Sequence, residues 1–340
     1  MAVLIIYTGG TIGMKTNPIT GALAPFNFDE IEKEMPELKK FGVKIDTFTF
    51  NPTIDSSNVN QSHWSALANI IKDNYDQYDG FVVLHGTDTM SYTASALSFM
   101  LQNLTKAVVF TGSQIPIGVL RTDGKENIIT SVEIAAAKFE GRCAVPEVTI
   151  YFQNQLFRAN RTTKHSAEHL NAFRSYNYPP LASAAIDIKY NHTYIRKVDA
   201  FLPSFDIAED MCGDIAVLKI FPGITRAVVK SMLSATSLKG VVFESYGSGN
   251  APEREWLFEE LSSAIDRGIV ILNVTQCSEG SVNMKLYDTG RRLSEIGVIG
   301  GRDMTAESAI TKLMYLLALD LPRKVLLERV SQPIRGEMTI

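Results

Sequence analysis

The residues best suited to chemistry in this chain are two threonines, each of which follows a short apolar run and a glycine. Ala2 to Tyr7 leads into Thr8-Gly9-Gly10-Thr11, and Phe81 to Leu84 leads into His85-Gly86-Thr87-Asp88-Thr89. A threonine hydroxyl becomes a nucleophile once a base or a strong field assists it. The glycines let the backbone turn sharply and come close to a ligand. The plainer alternative for Thr11 is a structural turn with an incidental hydroxyl, and for Asp88 a simple N-cap of the helix that follows. That helix start would also offer spare N–H donors and a positive field to a carboxylate or a developing oxyanion. Asp55-Ser56-Ser57-Asn58, after a run ending near Phe50, suits either an Asx or Ser turn or the ammonium and carboxylate of an amino acid. Asn160-Arg161-Thr162-Thr163-Lys164 supplies a lysine that is either a solvated surface charge or, beside Asp88, a group that holds that carboxylate ionised and positions a hydroxyl.

Positioning these groups requires a sheet. Val3 to Tyr7, Val43 to Phe50, Phe81 to Leu84, Ala107 to Phe110 and Val148 to Phe152 are apolar runs of strand length, the pattern of strands buried on both faces. Between them, Trp64 to Tyr75, Thr89 to Gln102 and Asp123 to Lys138 carry helical spacing. This alternation predicts an α/β fold with a parallel sheet, whose ligand site lies at the carboxyl ends of the strands, where both threonine loops fall. Residues 1–190 read as the larger domain, 191–213 as a linker, and 214–340 as a smaller α/β domain. The latter carries strands over Ile215 to Ile220, Gly240 to Phe243 and Ile269 to Asn273. Its helices are read over Ile224 to Leu233, Pro252 to Arg267 and Thr305 to Leu319.

Composition excludes several functions. The chain has 340 residues, 45% apolar and 21% charged, with a formal charge of −4 and no Lys/Arg-rich run, so neither nucleic acid nor a membrane surface is an expected partner. The absence of a basic leader before Val3 and of any bilayer-length apolar run points to the cytoplasm. Three widely spaced cysteines, Cys143, Cys212 and Cys277, read as reduced thiols.

Taken together, the motifs resemble the bacterial-type asparaginases. Thr8 to Gly13 matches the family's first threonine signature, His85 to Thr89 the second, Asp55-Ser56-Ser57 the substrate-binding loop and Lys164 the family lysine. Thr111 to Pro116, Ser245 to Pro252, Asn273 to Cys277 and Ile299 to Thr305 extend the similarity along nearly the whole chain, in the spellings of the cytoplasmic type I branch. The resemblance implies hydrolysis of L-asparagine, with L-glutamine as a competing substrate, by a homodimer or homotetramer without cofactor or metal. Thr11 would attack the amide carbon to form an acyl-enzyme. Thr87, Asp88 and Lys164 would form a second hydroxyl, carboxylate and amine set, and Ser56, Ser57 and Asp88 would grip the substrate's backbone ends. On general grounds a lysine beside a carboxylate favours its charged form, so Lys164 is expected to orient and polarise rather than abstract a proton.

Two departures stand out. The family places a tyrosine in the loop after the first threonine; here no tyrosine lies between Tyr7 and Tyr75, and Ala22 or Leu23 stands near that place. Some type I relatives also carry an allosteric asparagine site. Its counterparts here are Thr163, Thr275, Gln276 and Cys277, with Glu244 where an arginine would be, which predicts weak or absent activation by asparagine. Competing readings are fewer. His165-Ser166-Ala167-Glu168-His169 fits the H-x-x-E-H spacing of zinc peptidases if helical, although Tyr178-Pro179-Pro180 leaves it little room. A phosphate-cradling module would want a G-x-x-x-x-G-K-[ST] or G-x-G-x-x-G run, and neither follows the first strand. A nonenzymatic amino-acid sensor would release no ammonia from asparagine. A tRNA-dependent amidotransferase subunit would be expected to carry a further N-terminal domain.

Overall fold

The computed structural model describes residues 1–16, 23–25, 35–199 and 201–340, with the backbone alone for 15, 16 and 23–25. The chain divides into two compact units, Met1–Glu209 and Asp210–Ile340. Within the stretch expected as a linker, Ile195 is buried in the first unit's core, and Asp206–Ile207 pairs antiparallel with Leu101–Gln102. The division falls at 209/210, inside the stretch 191–213, whose residues 195 and 206–207 pack with the first unit.

In the first unit, β1 (Ala2–Tyr7), β2 (Lys44–Thr49), β3 (Gly80–Leu84), β4 (Ala107–Thr111) and β5 (Val148–Phe152) run parallel in the order β2-β1-β3-β4-β5. Three antiparallel strands, β6 (Gln155–Arg158), β7 (Ala182–Ala184) and β8 (Ile188–Tyr190), extend the sheet beyond β5. The sheet is thus mixed, with its parallel part dominant. The reversal comes from a two-residue hairpin at Gln153 and Asn154, both at positive φ (45° and 68°), the backbone that a tight hairpin needs. Without a glycine, that turn carries no strong sequence signal.

The apolar runs behave as their composition requires. Every residue of β3, β4 and β5 is buried, whereas β2 lies at the sheet edge and leaves Phe48 exposed. Only Ile45 and Phe48 of its Lys-Ile-Asp-Thr-Phe-Thr are apolar and none of the six is buried, which suits an edge strand better than the doubly buried one expected. Three helices cover the sheet: α1 (Gln61–Asp73), α2 (Met90–Met100) and α3 (Gly124–Ala136). Asn60 caps α1 in a reciprocal box with His63. Helix α2 is buried on nearly all sides, because its alanines and serines let neighbours approach closely; the Trp64 indole of α1 donates to Thr93 Oγ1 of α2 at 3.1 Å. Among the described residues no helix is long and apolar enough to cross a membrane.

The smaller unit holds four parallel strands in sequence order, β9 (Ile215–Lys219), β10 (Gly240–Ser245), β11 (Val270–Thr275) and β12 (Ile299–Gly300). Five helices accompany them: α4 (Arg226–Leu233), α5 (Glu255–Asp266), α6 (Asp288–Glu295), α7 (Ala306–Ala318) and α8 (Arg323–Ser331). Helices α6 and α8 go beyond the sequence expectation. Each is short and buries two or three residues, so neither projects a long apolar stripe.

Helix α3 lies directly on the sheet at Gly80, where a Cβ would stand 2.1 Å from the Ala135 carbonyl oxygen. Gly80→Ala must therefore push α3 away from β3. The expected loss is about 1–3 kcal/mol by over-packing, read as a lowered midpoint in chemical denaturation.

Candidate active site

In an open α/β sheet of order 2-1-3-4-5, the strand sequence reverses between β1 and β3, and the crevice beyond the carboxyl ends there is the place for a ligand. The register sets Tyr7 beside both Thr49 and Leu84, so the loops after β1, β2 and β3 start at one level. These are the loops that carry Thr11, Asp55 to Ser57, and Thr87 with Asp88.

The first loop turns on two glycines at positive φ, Gly9 at 141° and Gly10 at 92°. A Cβ on Gly9 would lie 2.0 Å from the Ile54 carbonyl oxygen, and one on Gly10 would lie 2.5 Å from the Gly86 Cα. The two threonine loops thus touch backbone to backbone at Gly10 and Gly86. Beneath the first loop the Tyr7 hydroxyl donates to the Gly10 carbonyl at 3.3 Å, and burial pushes this phenol up to about 12. Thr8 Oγ1 donates to the Leu84 carbonyl at 3.0 Å, fastening β1 to β3 at the loop's root. On this support Thr11 opens a 3-10 turn, Thr11–Gly13, with its own residue exposed.

In the second loop, His85 is 2% exposed, and desolvation lowers its pKa to about 4. The neutral ring's Nδ1 lies 2.7 Å from the Gly86 carbonyl oxygen, an acceptor, which assigns the proton to Nδ1. Asp88 does not serve as the cap considered from sequence. Thr89 occupies the N-cap position of α2, and Asp88 Oδ1 instead receives Lys164 Nζ at 2.7 Å. The same ammonium donates to Thr87 Oγ1 at 2.9 Å. Thr87 Oγ1 donates onward to Gln114 Oε1 at 3.0 Å. Lys164 is held in a two-residue ladder, Thr163–Lys164 against Phe173–Arg174, after the turn Ala159–Arg161 that packs on α2.

The third loop joins the same floor. Ser56 is buried, its Oγ 2.5 Å from where a Cβ on Gly86 would stand, and its carbonyl accepts from Thr89 Oγ1 at 2.7 Å. Asp55 accepts from the Ser57 N–H at 3.0 Å; that bond and the Ser57 hydroxyl hold its carboxyl below the usual range. Asp55 is thus engaged in the turn, while Ser57 is exposed. An exposed threonine hydroxyl, and an ammonium shared by a carboxylate and a second hydroxyl, are the kinds of group that attack and polarise an acyl carbon.

The other residues singled out from sequence fall elsewhere. Residues 165–170 form no helix, 167–170 being bends, with Ser166 Oγ accepting from the N–H groups of Glu168 and His169. The helical premise for zinc at His165, Glu168 and His169 therefore fails. Among the described residues no group of three or more His, Cys, Asp or Glu side chains is arranged to hold a metal ion. In the second unit, Glu244 pairs with Lys219 at 3.2 Å, Gln276 Nε2 donates to the carbonyls of Ile220 and Glu244, and Thr275 Oγ1 accepts from the N–H of exposed Cys277. Thr163 belongs to the first unit. Ala22 lies outside the described residues, and Leu23 is described only by its backbone, paired with Thr16. Gln114 and Tyr7 were not anticipated as site residues. Gln114 stands in the Thr111 to Pro116 run, so its signal was position within a motif; Tyr7 showed only as the end of a strand.

The chain matches two family models: "Asparaginase, N-terminal" over residues 2–196 and "Glutaminase/Asparaginase C-terminal domain" over residues 214–326. It is 43% identical to L-asparaginase 1 of Escherichia coli (strain K12), covering 99% of this chain and 98% of that protein. The structure superposes on L-asparaginase I from Vibrio cholerae with a TM-score of 0.89 at 38% identity, covering 100% of this chain and 99% of the other. With the thermostable L-asparaginase from Thermococcus kodakarensis the TM-score is 0.90 at 30% identity, covering 100% and 99%. From its first strand to its last parallel sheet, the chain belongs to the asparaginase family.

Proposed function

We propose that the protein hydrolyses the side-chain amide of L-asparagine to L-aspartate and ammonia, with Thr11 as the nucleophile. One observation supports this reading: Lys164 donates at once to Thr87 and Asp88, on the loop whose Gly86 meets Gly10, the residue before the exposed Thr11. Thr11 Oγ1 attacks the amide carbon, the C–N bond breaks, ammonia leaves with the proton from the hydroxyl, and water then cleaves the acyl ester. Asp88, mostly exposed, meets the substrate's α-ammonium through a charge-assisted hydrogen bond, and Ser56 and Ser57 help to grip the substrate's backbone ends. Lys164 orients Thr87 and polarises the site. L-glutamine, one methylene longer, is the competing substrate. The resemblance to the type I branch supports a cytoplasmic homodimer or dimer of dimers.

In the second unit, Glu244 already pairs with Lys219. An acid there repels the carboxylate that an arginine would hold, so asparagine is not an activator of this protein.

Four outcomes test these readings. Ammonia release from asparagine falls by about 10³-fold or more in Thr11→Val. Mass spectrometry of the trapped enzyme finds the acyl adduct in wild type and none in Thr11→Val; an adduct persisting on Thr87 would reverse the two threonines. Lys164→Met loses activity, and Lys164→Arg does not restore it, because the longer, planar guanidinium does not put its donors where the compact ammonium meets Thr87 and Asp88. Finally, initial rates against asparagine follow a hyperbola; a sigmoidal curve that became hyperbolic in Cys277→Ser would contradict the reading of Glu244.

A further inference from the structure

The Thr87 hydroxyl has one proton, and it is committed. Thr87 Oγ1 donates to Gln114 Oε1 at 3.0 Å while accepting from Lys164 Nζ at 2.9 Å. Neither direction is arbitrary. A lysine ammonium has only donors, so Thr87 must accept from it. Gln114 Nε2 lies 3.3 Å from each of the Ala167 and His169 carbonyl oxygens, which only accept, so the amide nitrogen faces them and the amide oxygen faces Thr87. The backbone on which Gln114 sits is fixed as well. Asp123 receives the N–H of Gln114 at 3.0 Å and of Ile115 at 3.1 Å, and Asn127 ties Asp123 to the Gly112 carbonyl.

We propose that Gln114 is a positioning residue for the reaction: by taking the Thr87 proton it turns one lone pair of that oxygen to Lys164 and leaves the other for a hydrogen of the substrate or of water. The proposal rests on the asparaginase reading of the Lys164, Thr87 and Asp88 group. An amide oxygen is too weak a base to carry the proton away, so Gln114 orients Thr87 and does not relay. Its two amide hydrogens meanwhile tie the Ala167–His169 turn, which follows soon after Lys164, to the loop after β4 that carries Gln114. One side chain thus fixes the hydroxyl's proton and the segment that carries its cationic partner.

Two substitutions separate these roles. Gln114→Met keeps the length and removes every hydrogen bond, whereas Gln114→Glu keeps the acceptor for Thr87 and loses the donors to the turn. In Gln114→Met, kcat for asparagine falls about tenfold, the factor that ~1.4 kcal/mol of transition-state stabilisation represents. KM stays within about twofold, because the contact is made with the enzyme's own hydroxyl rather than with substrate. Amide hydrogen exchange across residues 165–172 becomes faster. Gln114→Glu recovers part of kcat over Gln114→Met while keeping the faster exchange. Wild-type kcat in Gln114→Met, or Gln114→Glu no better than Gln114→Met, would overturn the proposal. If the wild-type protein released no ammonia from asparagine, the asparaginase reading would fail by itself. Exchange would still judge Gln114, and an unchanged rate over 165–172 in Gln114→Met would dismiss its anchoring role.

Discussion

The site depends on one steric fact: the loops after β1 and β3 meet backbone to backbone at Gly10 and Gly86. A Cβ on Gly10 would reach 2.5 Å from the Gly86 Cα, and a Cβ on Gly86 would strike Ser56. Any other residue at Gly10 pushes the loop of Thr11 from that of Thr87, and one at Gly86 pushes the latter from the Ser56 turn. The contact exists because β1 and β3 are hydrogen-bonded neighbours in a register that ends both at the same height. Strand pairing, a long-range property, is thereby converted into the contact of two threonine-bearing loops.

Beneath this contact the polar groups are directed inward and satisfied. His85 is buried as a neutral ring because desolvation outweighs its bond to the Gly86 carbonyl. Tyr7 spends its hydroxyl on Gly10, and Thr8 spends its own on Leu84. The charged groups sit higher: Lys164 is largely covered and Asp88 mostly exposed. The buried groups are thus neutral and the ion pair stands above them, partly open to solvent.

Much of the first unit was legible in the sequence. Uninterrupted apolar runs marked β1, β3, β4 and β5, because a strand covered on both faces cannot alternate. The glycines at 9, 10 and 86 marked close approach. Less legible were features that depend on neighbours. Phe48 looked like core and lies on an edge; the Gln153–Asn154 hairpin reversed the sheet without a glycine; residues 206–207 joined a ladder with 101–102, so the expected linker folded onto the first unit. The H-x-x-E-H run had helical spacing but no helix, since Ser166 captured its backbone N–H groups in a local turn.

The sequence by itself determined which residue types stood in which local frames: threonines after glycine turns at strand ends, the Asp55-Ser56-Ser57 turn, and a lysine in a polar run. Each is a short-range property, fixed by backbone sterics and the apolar period of its own segment. Only the tertiary structure decided who meets whom. Lys164 reaches Thr87 across 77 positions, and Gln114 reaches Thr87 across 27 and the 167–169 turn across more than 50. Such bonds depend on sheet order and loop packing rather than on local propensity. For that reason Asp88, readable as a helix cap, became the partner of a lysine, and Gln114, one residue within a motif, holds the proton of Thr87.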